Sequence, residues 1–509
     1  MNSKFSFSDF KSGVVVFLVA LPLCLGISLA CGVPIFSGIL SGIVGGIIVA
    51  IFSSSKYSVS GPAAGLTAIV VTSISQLGSY DCFLAAVFFA GIVQIIFGII
   101  KAGFISNFIP NAVVKGMLAG IGIILIIKQL PHIVGYDADP EGDMYFIQSD
   151  GHNSISDLYY MFNYITPGSL IIGIVSFLLL ILSEKAFYKK DKLFSLIPGP
   201  LLVVGFGILL NVAFSGYSFL KISSKHLVNL PNINNLNDLK TNLIFPDFSL
   251  INNQGFWIIV LTLAIVASIE TLLSFEAIDK LVPQKGSVNS NKELIAQGIG
   301  NSLSGLIGAL PLTSVIVRSS ANINAGAKSK LSSIIHALLL MLCVLFIPFV
   351  LRLIPNSALA VILIMIGYKL ANISLFKSQY KAGIDQFLPF ISTILFMLFT
   401  DLLKGVSLGL FIAIIFILKQ SYKMPFKVIE EQIDGRLNVF IKLSQNVTFI
   451  TKGKFIELFK SIPDGAEVHI DGGRTRFIDK DILEIIHNYK DSSSVHKINL
   501  VLEEFEEEK

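Results

Sequence analysis

"SVSGPAAGLTA", Ser58 to Ala68, breaks an oily chain with a Gly-Pro pair, small residues and hydroxyls. The chain around it has 509 residues, 53% hydrophobic and 14% charged, with a mean hydropathy of +0.76. Soluble domains carry roughly 25% charge. The composition therefore predicts a polytopic α-helical membrane protein, and places a half-polar, helix-breaking stretch at membrane depth. Phe5 to Lys11 is polar and mixed, and the apolar run after it continues into further spans, so no cleaved leader is expected.

A hydrocarbon core of about 30 Å needs roughly 20 apolar residues per helix. On that criterion spans start near residues 13, 36, 60, 82, 112, 167, 199, 256, 293, 312, 332, 357, 386 and 404. The third and tenth are short. Lys56, Lys101, a cluster at Lys185, Lys189, Lys190 and Lys192, then Lys280, Lys285, Lys292, Lys328, Lys330, Lys377 and Lys381 fall in loops on the side of the amino terminus. The positive-inside rule makes that side cytoplasmic. The loop over 132–165 carries Asp137, Asp139, Glu141, Asp143, Asp150 and Asp157 without Lys or Arg, as suits the opposite face. Fourteen spans put both termini in the cytoplasm. The expected setting is the cell inner (cytoplasmic) membrane.

The tail reads differently. "RLNVFIKL" (436–443), "AEVHIDG" (466–472) and "HKINLVL" (496–502) alternate as strands, while "KGKFIELFKSI" and "IDKDILEIIHNYK" have helical periodicity. Strands alternating with helices predict a small cytoplasmic α/β domain with a parallel-leaning sheet. The expected boundaries are a transmembrane domain over 1–425, a linker over 426–436 and the small domain over 437–509.

Irregular backbone at membrane depth is tolerated only where protein buries it or where it lines a wet cavity. Pro62 lacks an amide hydrogen and suits the first turn of a helix, so "GPAAGLTA" predicts a helix that starts inside the membrane. Such a start directs free amides and a positive dipole end at the cavity, as an anion site requires. "GALPLTSVIVRSSANI" (308–323) repeats the pattern around Pro311. The two are similarly placed: Pro22 to Pro62 is 40 residues and Glu270 to Pro311 is 41. Spans one to seven (about 10–217) and eight to fourteen (about 254–421) are therefore read as inverted repeats. In the alternative reading, both prolines merely kink ordinary helices.

Two charges lie inside spans, and such charges are normally paired or on a substrate path. Glu270, in "LAIVASIETLLSFEAI", is assigned as the coupling group, holding a proton or helping to bind sodium beside Thr271 and Ser274. Only Ser274 shares its helix face. Arg318 is assigned to raising the potential around a bound anion. The alternative is a buried Glu270–Arg318 pair that fixes packing.

The segments "GVVVFLVALPLCLGISLACGVP", "SVSGPAAGLTAIV", "SIETLLSFEAIDK", "PLTSVIVRSSANINAGAKS" and "FIDKDIL" together resemble the sulfate permease (SulP) family of anion transporters, in the family's order and over nearly the whole chain. The resemblance implies seven plus seven inverted repeats, a core domain moving against a gate domain, half-helices at spans three and ten with an anion between them, a homodimer and a cytoplasmic STAS domain. It assigns Pro62, Ala63 and Ala64 to the third-span start, Thr313, Ser314 and Val315 to the tenth-span start, Arg318 to the family arginine and Glu270 to the eighth-span acid. Sodium-coupled bicarbonate members carry aspartate and, four residues on, threonine in the eighth span. Here these positions are Glu270 and Ser274, so Na+ at that pair, H+ coupling and anion exchange all stay open. STAS relatives that act as phosphoswitches follow the helix-starting aspartate with serine or threonine, whereas Asp479 is followed by Lys480, so docking or dimer support is the expected role.

Other classes fit less well. A nucleobase permease of the same fold would place a second acid in the tenth span, and none lies between Pro311 and Asn324. A non-transporting sensor signalling through the tail is the other alternative. Cys24, Cys31, Cys82 and Cys343 sit in apolar runs without metal-ligand spacing. The histidines, such as His132, His226 and His487, fall mostly in loops or the tail, and neither a nucleophile elbow nor HExxH occurs. "DGGRTRF" (471–477) lacks P-loop spacing. The expected protein is no enzyme. It has no resident cofactor beyond a coupling Na+ or H+ and no nucleic-acid partner, and it works on a small inorganic anion, sulfate or bicarbonate, in a lipid membrane.

Overall fold

The computed structural model describes residues 6–138, 146, 153–184, 198–228, 230, 243–282, 289–422, 425–433 and 436–503. The acids Asp139, Glu141, Asp143 and Asp150, the lysine cluster 185–192 and Lys285 lie outside them. The chain divides into two compact units, one up to Leu410 and one from Phe411 on.

The first unit is helical. In chain order it contains α1 (Phe7–Ala30), α2 (Ile35–Phe52), strand β1 (Ser60–Pro62), α3 (Thr67–Leu77), α4 (Tyr80–Ile99), α5 (Asn111–Val134), α6 (Ser154–Tyr160), α7 (Pro167–Glu184) and α8 (Gly199–Phe214). Then follow α9 (Gln254–Leu281), α10 (Ser290–Ile307), strand β2 (Leu312–Ser314), α11 (Ile316–Asn324), α12 (Leu331–Phe346), α13 (Asn356–Leu370), α14 (Ile373–Lys381), α15 (Ile384–Phe399) and the start of α16 (Leu402–Tyr422), whose remainder from Phe411 belongs to the second unit. An element begins within six residues of each expected span start. Among the described residues seven helices are long and apolar enough to cross a membrane alone, or eight if the bent pair around α6 and α7 counts as one.

The two short spans are where the structure departs from expectation. Neither Pro62 nor Pro311 begins a helix. Pro62 ends β1, which pairs antiparallel with β2 in the register Ser60↔Ser314, Gly61↔Thr313 and Pro62↔Leu312. Each strand takes one more extended residue, Ala63 or Val315, before its chain coils. A proline without an amide fits a strand end as well as a first helical turn.

A two-stranded ribbon at membrane depth must have its outer edges satisfied by protein. Asn301 of α10 does this for β2: its Oδ1 accepts from the Leu312 amide at 2.7 Å and its Nδ2 donates to the Leu312 carbonyl at 3.0 Å. The same Nδ2 donates to Gln94 Oε1 of α4 at 2.7 Å. One turn earlier Gln297 Nε2 donates to Ser60 Oγ at 2.7 Å. The Val59 amide donates to Ser319 Oγ, and Ser58 and Ser314 share a hydroxyl hydrogen bond of 2.7 Å. The run Gly45–Val49 in α2 is wound as a π-helix, and a methyl on Gly45 would lie 2.3 Å from the Ser60 carbonyl oxygen. Without side chains there, α2 packs directly on β1.

A second reciprocal contact joins the halves where α5 crosses α13. A methyl on Gly122 would lie 2.5 Å from the Gly367 carbonyl oxygen, and the converse distance is also 2.5 Å. Small residues allow this backbone approach, which dispersion and packing then stabilise in lipid. Beyond α5, Asp137 joins His132 and His226, accepting from Nδ1 of each at 2.5 and 2.6 Å. Burial would raise the Asp137 carboxyl, but these two hydrogen bonds outweigh it and hold the group below its ordinary range. His132 thus belongs to the last turn of a helix rather than to a loop.

The second unit contains β3 (Phe426–Ile433), β4 (Arg436–Leu443), β5 (Asn446–Val447), α17 (Lys452–Ser461), β6 (Glu467–Asp471), β7 (Phe477–Ile478), α18 (Lys480–Ser493) and β8 (Asn499–Glu503). The main sheet has the order β3-β4-β6-β8, with β3 antiparallel to β4 and the other neighbours parallel. Val439, Ile441, Val468 and Ile470 meet Phe455, Ile482 and Ile486 in its core. The Asp479 carboxylate caps α18 by accepting from the Asp481 amide. The segment expected as a linker, 426–436, is therefore mostly an edge strand of this sheet.

Substituting Asn301 by alanine would leave both polar groups of Leu312 unpaired in a buried position. The expected cost is about 2–4 kcal/mol. It should appear as a lower melting temperature of the detergent-purified protein, with Ser302→Ala as the control on the neighbouring position.

Candidate anion site

Both interrupted spans reach the site through the same local structure. The third-span chain passes Ala63 at φ −107°, ψ 124° into a 3-10 turn, Ala64–Leu66, and then into α3. The tenth-span chain passes Val315 at φ −107°, ψ 117° into α11. Neither start has a side-chain cap or an acidic residue in its first turn. The first-turn amides of neither start are thus capped by a side chain of their own helix, and they lie at the positive ends of the helices.

A partly open cavity is lined by both of these starts. One wall consists of Ala63, Ala64 and Gly65, then Ser314, Val315, Ile316 and Val317, with Glu270 and Ser274 of α9. The rest of its lining is apolar: Ile121 and Ile124 of α5, Met397 of α15 and Leu402 of α16. Ile124 also lines a second cavity that contains Lys128.

Of the residues expected at the site, Ala63, Ala64, Ser314, Val315, Glu270 and Ser274 line the cavity, and Pro62, Thr313, Thr271 and Arg318 do not. Pro62 and Thr313 are held in the strand pair, where side chains and backbone face the protein. Thr271 is fully buried one residue past Glu270, on another face of the helix.

Arg318 departs furthest from expectation. It is wholly buried behind the strands: its Nη2 donates to Cys24 Sγ of α1 at 3.3 Å, and a methyl on Gly61 would lie 2.1 Å from its Nη1. Nε and Nη1 have no hydrogen-bond partner. Glu270 and Arg318 form no ion pair, so the packing-pair alternative does not describe this arrangement. A guanidinium stays charged in proteins. Arg318 lies behind the β1 backbone, in the first turn of α11.

Glu270 sits on the cavity wall at 5% exposure, with Oε2 lacking a hydrogen-bond partner and the carboxylate lying against Gly65 at the third-span helix start. The residues that sequence reasoning did not single out are Gly65, Ile316, Val317 and the rest of the apolar lining. Gly65 stood inside the quoted opening stretch, whereas Ile121, Ile124, Met397 and Leu402 are apolar residues in apolar spans and carry no contrast.

The sulfate permease family model matches residues 7–393. The bicarbonate transporter BicA of Picosynechococcus sp. is 25% identical over 441 residues, covering 85% of this chain and 73% of that one. High affinity sulfate transporter 2 of Stylosanthes hamata is 26% identical over 420 residues, covering 80% and 60%. The structure of murine Solute Carrier 26 family member A9, an anion transporter, in its inward-facing state superposes with a TM-score of 0.69 at 15% identity, covering 99% of this chain and 86% of that one. At that identity the likeness is one of fold. With the family match over residues 7–393 and an uncapped pair of helix starts at one cavity, this chain belongs to the sulfate permease family.

Proposed function

We propose that the protein moves a small inorganic anion, sulfate or bicarbonate, across the membrane by alternating access, with the anion held between Ala63–Gly65 and Ser314–Val317. The observation that carries this reading is the strand pair, which brings two uncapped helix starts to one cavity above a buried guanidinium. Three sources of positive potential and few side-chain donors suit a compact anion recognised by charge. That α5, α15 and α16 contribute only apolar residues to the lining supports a core that carries the anion past a gate formed by those helices.

Glu270 is the coupling group in this reading, and its partner is a proton. As a carboxylate it places a negative charge where the anion would sit. When protonated it does not. The nearby lining adds the Ser274 and Ser314 hydroxyls among apolar residues, which is a sparse oxygen shell for sodium. A dimer, cytoplasmic termini and a docking role for the carboxyl-terminal α/β unit complete the proposal.

Uptake of labelled sulfate and bicarbonate into proteoliposomes, with and without a pH or sodium gradient, tests it. Accumulation of either anion driven by an inward proton gradient is expected; uracil uptake with neither anion moving would contradict it. Arg318→Gln should weaken apparent anion affinity about tenfold, the loss that corresponds to on the order of 1–2 kcal/mol of charge–charge attraction at an effective dielectric near 20. Arg318→Lys should keep most of the affinity, and equal losses in both variants would contradict action through charge. Glu270→Gln imitates the protonated acid. It should bind the anion at least as tightly as wild type, exchange it across the membrane, and fail to accumulate it against a gradient.

A further inference from the structure

Gly65 lies second in the turn that opens the third-span helix, between Ala64 and the buried Leu66. It is the one residue of Ala63-Ala64-Gly65 without a side chain, and a methyl there would lie 2.9 Å from Glu270 Oε1, 3.1 Å from Cδ and 3.2 Å from Oε2. The Gly65 amide also interacts with that carboxylate. Its φ is not positive, so the backbone does not itself demand glycine. What the missing methyl provides is room for the end of the Glu270 side chain at a helix start that faces the anion cavity.

We infer that Gly65 is a positioning residue for coupling: its bare Cα lets the Glu270 carboxylate occupy the same helix start as the transported anion, so that one negative charge excludes the other. The inference rests on the reading of Glu270 as the coupling acid. The clash a methyl would create is with the far end of a flexible side chain, which moves aside at little cost to the fold. Alanine at 65 therefore displaces the carboxylate while keeping it in the protein. Among the described residues, the ionisable groups on the helices packed around α9 are Arg318 on α11, Lys292 and Glu293 on α10, Lys115, Lys128 and His132 on α5, and Tyr80, Asp81 and Cys82 on α4, and no acid among them lines the cavity.

The test is the pH dependence of half-saturating sulfate, with bicarbonate in parallel, for uptake into proteoliposomes. If one proton must bind Glu270 before the anion, wild type should lose apparent affinity by about tenfold per pH unit above the pKa of the acid. Gly65→Ala should show a clearly shallower slope with unchanged maximal uptake. Glu270→Gln should be flat, and Gly65→Ala combined with Glu270→Gln should match Glu270→Gln alone. Glu270→Asp, which withdraws the carboxylate from Gly65 by one methylene and leaves the helix start untouched, should resemble Gly65→Ala and serves if the latter does not fold. A wild-type slope in Gly65→Ala or Glu270→Asp, with Glu270→Gln flat, overturns the role of Gly65. A wild-type slope in Glu270→Gln overturns instead the assignment of Glu270 as the coupling acid.

Discussion

The pairing of two three-residue strands, β1 and β2, is the contact on which the rest of the membrane unit depends. Hydrocarbon offers no partner for a backbone amide, so a chain that stops being helical at that depth must find each hydrogen bond within the protein. The strands supply them to each other along one edge, and Asn301 and Ser319 supply them on the outside, to Leu312 and Val59. Once the strands are fixed, the chain after each has one place to begin a helix. The two beginnings share nearly the same dihedrals because they solve the same problem from opposite halves.

The electrostatics follow from that constraint. Uncapped helix starts are costly to bury beside one another unless a negative group joins them, and Arg318 adds a full charge behind the strands without a carboxylate partner. The negative group the chain itself supplies is Glu270, seated against Gly65. The transported anion is the other candidate for the same place. On the proposed reading, an arrangement stabilised by a single negative charge, from either source, converts a proton on one carboxyl into a change in affinity for the solute, and the isoleucine, methionine and leucine of the lining shield the anion rather than bind it.

Much of this was legible in the sequence, and the exceptions have physical reasons. Long apolar runs disclosed the helices, since twenty oily residues have few other uses, and Gly-Pro and Leu-Pro disclosed the interruptions. The strands were not legible, because three residues cannot display a period of two, and proline is as much at home ending a strand as opening a helix. Arg318 was found as a charge inside a span, but the side of α11 it occupies depends on the register at which the helix starts, which lies at Ile316. Thr313 likewise lies in β2, short of the helix start, and is not among the residues that line the cavity. In the second unit, residues 426–433 read as a linker because Lys427, Glu430 and Glu431 give them the charged look that edge strands use against aggregation. Their apolar residues, Phe426 and Val428, nonetheless pack on the core.

The account rests on the anion residing between two helix starts, and a heavy-atom anion locates it directly. Crystals or frozen grids of the protein saturated with selenate, with the selenium placed by anomalous scattering or density, should show one site bounded by Ala63–Gly65 and Ser314–Val317. Selenium bound in the Lys128 cavity with the helix starts unoccupied would contradict the central claim.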